Sequence, residues 1–130
     1  MQWRKMQLMP RELETQSTQE LVEAFAKAAK EQGEALDKCN PKKANRRTKL
    51  IHKTFAEMKQ RGPEAWQQFL FLLNHPDPYV RYFAATYALR ANPNLAIPVL
   101  ERIDRDEHGI LAFRAGQALK QWRLGDWHLP

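Results

Sequence analysis

Two stretches of the 130-residue chain carry the same pattern thirty positions apart, and that period constrains the fold more than any other feature. Leu70, Leu73, Val80, Phe83, Ala85, Ala88 and Leu89 recur as Leu100, Ile103, Ile110, Phe113, Ala115, Ala118 and Leu119, and Pro63 recurs as Pro93. A fixed period of this length marks stacked supersecondary units, each too small to bury its apolar face alone. The alternation of a strand is nowhere sustained, while apolar steps of three and four residues recur throughout. The chain reads as all-α.

Start and stop signals divide it into six helices. Ser17 and Glu20 form a capping box, in which each side chain satisfies a backbone donor at the other residue. Leu21, Phe25, Ala28, Gln32, Leu36 and Cys39 follow on one face. Gly33 within this helix costs about 1 kcal/mol relative to alanine, which predicts close approach of a neighbouring helix. Cys39 falls on the apolar spacing and reads as a packed core thiol. It is the one cysteine, so there is no internal disulfide and no thiolate metal cluster. Asn40-Pro41 opens a second helix that runs to about Arg61 and stops at Gly62-Pro63, with Ala44, Thr48, Ile51, Phe55 and Met58 on its apolar face. A third begins near Pro63 and carries Trp66, Phe69, Leu70, Leu72 and Leu73. Asp77-Pro78 caps a fourth that ends before Asn92-Pro93. A fifth spans about Asn94 to Asp104, with Pro98 expected in its first turn or at a kink. A polar loop from Asp104 to Glu107 leads to a sixth that ends at Gly125. Residues 17–125 then form one domain of three antiparallel helix pairs, between an N-terminal arm, 1–16, without a clear period and a short C-terminal tail, 126–130.

The net charge of +6 is unevenly placed. Residues 38–61 carry nine basic groups against Glu57 alone, whereas residues 62–130 carry seven of each sign and residues 1–37 carry five basic against seven acidic groups. The excess is therefore a property of one short segment and its surface. No apolar run approaches the roughly 20 residues that span a bilayer, and the start of the chain lacks the apolar stretch of a secretory signal, so a cytoplasmic protein is expected.

Leu70-Phe71-Leu72-Leu73-Asn74-His75-Pro76-Asp77-Pro78-Tyr79-Val80-Arg81-Tyr82-Phe83-Ala84-Ala85 resembles a HEAT repeat, which turns on an Asp-Pro pair and opens its second helix with Val-Arg and small residues. The second copy departs from that pattern, with Asp106-Glu107-His108 in place of Asp-Pro and Leu111 in place of the arginine; residues 17–61 do not match the unit. From Leu21 to Trp122 the chain also resembles a family of small bacterial HEAT-like domains of unassigned function. Leu21-Val22-Glu23-Ala24-Phe25, Gln32-Gly33-Glu34-Ala35-Leu36, Lys43-Ala44-Asn45-Arg46, His52 and Leu119-Lys120-Gln121-Trp122 carry that resemblance. It implies an αα superhelix and no reaction. Some small helical proteins of this general type act as immunity proteins beside toxin genes, an association that makes an immunity or antitoxin role the most concrete expectation.

Three constellations could carry function. Lys42, Arg46, Lys49 and Lys53 form one basic stripe at i, i+4, i+7 and i+11 on the second helix, opposite its apolar face. Like charges so spaced destabilise a helix by a few tenths of a kcal/mol each, which suits a surface meeting an anionic partner. No aromatic interleaves them, so base stacking is not indicated. Asn45 and His52 share a flank of the same helix, where a polar pair either ties a neighbouring helix or meets a ligand. In a HEAT-like array the second helix of each pair lines one common face. There Tyr79, Tyr82, Thr86 and Arg90 of the fourth helix, with Arg114, Gln117 and Gln121 of the sixth, are expected to turn away from the core as interface anchors. The four histidines lack metal-ligand spacing, Asp104, Asp106 and Glu107 lack that of a calcium loop, and no phosphate loop or nucleophile elbow exists. The residues point to a non-enzymatic binding module without cofactor or metal. An acidic protein surface is the favoured partner, and a nucleic-acid backbone met through Lys42, Arg46, Lys49 and Lys53 is the alternative.

Overall fold

The computed structural model describes residues 13–129 and is all-helical. Residues 13–15 are helical, and six longer helices follow: α1 (Thr18–Asp37), α2 (Pro41–Gln60), α3 (Pro63–Leu70), α4 (Pro78–Ala88), α5 (Pro93–Asp106) and α6 (Gly109–Arg123). Their ends follow local chemistry. The Ser17–Glu20 capping box is present, with Ser17 N–H donating to Glu20 Oε1 at 2.9 Å and Glu20 N–H to Ser17 Oγ at 3.1 Å. Asn40 and Asp77 accept from Lys43 and Tyr79 N–H, ahead of Pro41 and Pro78 at the first helical positions. Gly125 ends α6 at φ +78°, with Asp126 N–H donating back to the Gln121 carbonyl at 2.9 Å.

α1 packs along α2, α4 along α5 and α5 along α6, while α1 also crosses α3 and α4. The core is continuous across all of them. Phe25, Phe55, Phe69, Tyr87 and the half-buried Trp66 form an aromatic cluster with edge-on contacts, among them Phe25–Phe69 at 5.0 Å between centroids and Phe55–Trp66 at 5.8 Å. Trp66 Nε1 donates to Asn92 Oδ1 at 2.8 Å, tying the start of α3 to the turn before α5. Arg61, at the end of α2, donates to the Leu13 and Glu14 carbonyls at 3.0 and 3.2 Å and pairs with Glu57, so it acts as a clamp.

Several expectations change. Cys39 is exposed, not packed: α1 ends at Asp37 and Cys39 occupies the left-handed position beyond it at φ +55°. The third helix breaks at Leu70 into a 3₁₀ turn, Phe71–Asn74, which leaves Phe71 in solvent. Pro98 lies in the second turn of α5, on its exposed side, and the polar loop shrinks because α5 continues to Asp106. The two repeat copies also differ in burial. Val80 and Phe83 are buried, whereas Ile110 and Phe113 are exposed, because α4 packs against α1, α3, α5 and α6, while α6 packs mainly on α5. Gly33 behaves as expected: the Tyr79 ring, from the first turn of α4, lies directly over it.

Candidate functional site

α2, α4 and α6, with the tail after α6, line one groove of about 340 Å³. Thr48 and His52 come from α2, Tyr82, Phe83, Thr86 and Tyr87 from α4, and Phe113, Arg114, Gln117, Ala118 and Gln121 from α6. Trp127, His128 and Leu129 complete the wall. Most of this surface is apolar, with a few polar groups converging on it, the usual make-up of a ligand-binding cleft.

Hydrogen bonds tie the groove together from beneath. Arg114 Nη1 donates to Gln32 Oε1 at 3.2 Å, and Gln32 Nε2 donates to Thr48 Oγ1 at 3.4 Å. Gln32 is thus a buried polar bridge that joins α6 to α2 through α1. The Arg114 guanidinium lies over the rings of Tyr82 and Phe83, 4.8 and 5.2 Å from their centroids. Tyr87 Oη shares a 2.6 Å hydrogen bond with His52 Nδ1, so His52 ties α2 to α4, while Asn45, seven residues earlier on α2, is exposed. Burial pushes the Tyr82 and Tyr87 phenols above their ordinary range, and for Tyr82 the nearby Arg114 charge partly offsets that rise.

The predicted residues divide into three groups. Tyr82, Thr86, Arg114 and Gln117 come together in the groove, but Tyr82 and Thr86 are buried in its floor. Residues Tyr82 to Leu89 are all buried, so α4 has no outward face from which they could project. Tyr79 and Arg90 lie elsewhere and have structural partners. Tyr79 packs on Gly33 and hydrogen-bonds Asp37. Arg90 grips the tail, donating to the Trp127 and Leu129 carbonyls at 2.7 and 3.0 Å. Lys42, Arg46, Lys49 and Lys53 are exposed, and none forms an ion pair among the described residues. Lys49 precedes His52 by three residues and is therefore its neighbour on the helix surface, so the stripe reaches the groove's rim at Lys49. Tyr87, Phe113 and Trp127 were missed. The uniformly apolar run of α4 was the available signal for Tyr87, since a helix apolar all round is buried all round. No periodicity flagged Trp127, which follows the last helix.

The charge differs between the helices that line the groove and those that do not. α2, α4 and α6 carry eleven basic residues (seven, one and three) and a single carboxylate, Glu57, which Arg61 engages. α1, α3 and α5, which contribute no side chain to the groove, carry nine acidic residues (five, one and three) against four basic ones (two, none and two).

Residues 19–122 match a domain family described as a domain of unknown function, DUF2019. The chain belongs to that family. It is also similar to the crystal structure of the protein RPA1889 from Rhodopseudomonas palustris CGA009, with a TM-score of 0.82 and 30% identity over 91% of this chain and 98% of that one. None of the curated proteins compared matches it. Among the described residues, no helix is long and apolar enough to cross a membrane, and no group of three or more His, Cys, Asp or Glu side chains could hold a metal ion.

Proposed function

We propose that this DUF2019 chain is a non-enzymatic binding module, a HEAT-like αα superhelix whose α2–α4–α6 face meets a protein partner with an acidic surface. The thirty-residue period and the placement of α2, α4 and α6 along one groove support the HEAT-like reading. The observation that carries the function is the charge segregation: the helices lining the groove hold eleven basic residues against one carboxylate. An immunity-type protein that covers an acidic patch on a toxin is the most concrete form of this role.

The exposed, unpaired row of Lys42, Arg46, Lys49 and Lys53 favours a second reading, a nucleic-acid backbone binder. Salt separates the two. Backbone binding to a 20-base-pair duplex would weaken log-linearly, with a slope of about −0.9 per phosphate neutralised, so four contacts give a slope near −3.6. A partly apolar protein interface keeps much of its affinity in high salt, because screening acts mainly on exposed charges. The test is affinity for the duplex, and for proteins first identified by cross-linking to the chain in its own cells, across about 50 to 500 mM salt, a range that brackets physiological strength. Lys42→Glu with Arg46→Glu should abolish capture of the partner by cross-linking. Retention of every partner by that variant removes the stripe from the function.

A further inference from the structure

We propose that the groove is a receptor for an acidic peptide segment of the partner. Arg114 takes an aspartate or glutamate carboxylate, and a neighbouring apolar side chain of the same segment lies against Phe113 and Trp127. This deepens the protein-binding reading above and rests on it.

Arg114 is the centre of the case. A guanidinium has five N–H donors. Here a neutral amide, Gln32, accepts one, and no carboxylate pairs with the side chain among the described residues. The Tyr82 and Phe83 rings beneath it hold the planar group in place. It is thus fixed before any ligand arrives, which lowers the ordering cost of binding. The three helices that line the groove offer it no counter-charge, since their one carboxylate, Glu57, is held by Arg61. A rigid fork of donors without a carboxylate, in a half-buried setting, matches the two oxygens of an incoming carboxylate.

The rest of the lining selects the kind of ligand. A phosphate polymer needs a row of cations, whereas the walls around Arg114 are Phe113, Tyr87, Ala118 and Trp127. Those walls suit an apolar side chain. Gln117 and Gln121, along one flank of α6, offer amides to an extended peptide backbone. Lys49 at the α2 rim, and Lys120 seven residues on from Phe113, favour a segment that is acidic beyond the single anchored residue.

The experiment uses the full chain against a displayed library of peptides with about eight randomised positions, enough to span a pocket of this class. The expected winners carry aspartate or glutamate beside an aromatic or branched aliphatic residue. The strongest, synthesised with a fluorophore, should weaken roughly ten- to a hundredfold against Arg114→Gln, and similarly when its own carboxylate is replaced by the amide in unaltered protein. That second arm stands even if Arg114→Gln does not fold. Lys42→Glu with Arg46→Glu, neither of which lines the groove, should cost the peptide less than about threefold, and that loss should vanish in high salt. Winners without acidic enrichment, or acidic winners indifferent to both the Arg114 and the amide substitutions, overturn the assignment. In either case the wider reading of an anion-binding face is judged separately, by loss of the cross-linked partner in the stripe variant. Titration with 3-phenylpropionate is the last arm. Binding as tight as the peptide's, with the same dependence on Arg114, assigns the groove to a free apolar acid and overturns the peptide.

Discussion

Gly33→Ala is the substitution whose effect the packing defines most sharply. In the middle of α1 alanine is favoured over glycine by about 1 kcal/mol, so propensity alone makes the change stabilising. The structure reverses that sign. A β-carbon at position 33 would stand 2.5 Å from Cγ and Cε1 of Tyr79, well inside van der Waals contact. The ring cannot simply swing aside, because its hydroxyl is bonded to Asp37 one turn along α1. Overpacking of this kind costs about 1–3 kcal/mol. Loss of the Tyr79–Asp37 bond adds about 1 kcal/mol. The net change is a destabilisation of about 1–3 kcal/mol, or about 4–12 °C in Tm for a domain of this size. Tyr79→Ala removes the obstacle, and in that background Gly33→Ala should stabilise by about 1 kcal/mol, the bare propensity term. Urea unfolding of the four proteins, followed by circular dichroism, measures the cycle. A stabilising Gly33→Ala in the unaltered chain, or the same sign in both backgrounds, refutes the close approach as the reason for glycine.

Cys39 sits in the left-handed region with its side chain exposed, so Cys39→Gly should stabilise the fold by about 1 kcal/mol, read as a higher urea midpoint at unchanged slope. Burial raises the folded-state pKa of Tyr87 above its ordinary value of 10.0, so its contribution to stability is complete below about pH 10 and is lost as pH climbs toward the folded value. Tyr87→Phe should therefore flatten the decline in Tm above pH 10, and an unaltered alkaline decline would show that the buried phenol does not cause it.

The parts of the fold legible in the sequence are those set by local chemistry. Ser17 with Glu20, Asn40-Pro41, Gly62-Pro63 and Asp77-Pro78 mark helix ends because each pattern satisfies or removes specific backbone donors, whatever the rest of the chain does. Cys39 shows the limit: three-residue spacing placed it on the face of α1, but the helix had already ended. The site was legible in outline, since α2, α4 and α6 do meet at one groove. Its details depended on how many neighbours each helix has. Tyr82 and Thr86 occupy flanks of α4 that would face water in a helix packed on one side, yet α4 is enclosed, and the same repeat positions give a buried Phe83 and an exposed Phe113. Gln32 entered the core face of α1 as a mere spacing match. Only the three-dimensional placement of Arg114 and Thr48 shows why an amide belongs there.

The separation of acidic α1, α3 and α5 from basic α2, α4 and α6 also gives the molecule an electric dipole whose positive end is on the groove side. A negatively charged partner approaching in dilute salt would be turned before contact, drawn to the groove side and repelled from the opposite one. The first consequence is kinetic: collisions are sorted by orientation, so association is accelerated more than dissociation is slowed. Such sorting fades once the Debye length falls below the roughly 10 Å of 0.1 M salt, so the arrival rate, more than the lifetime of the complex, should respond to ionic strength.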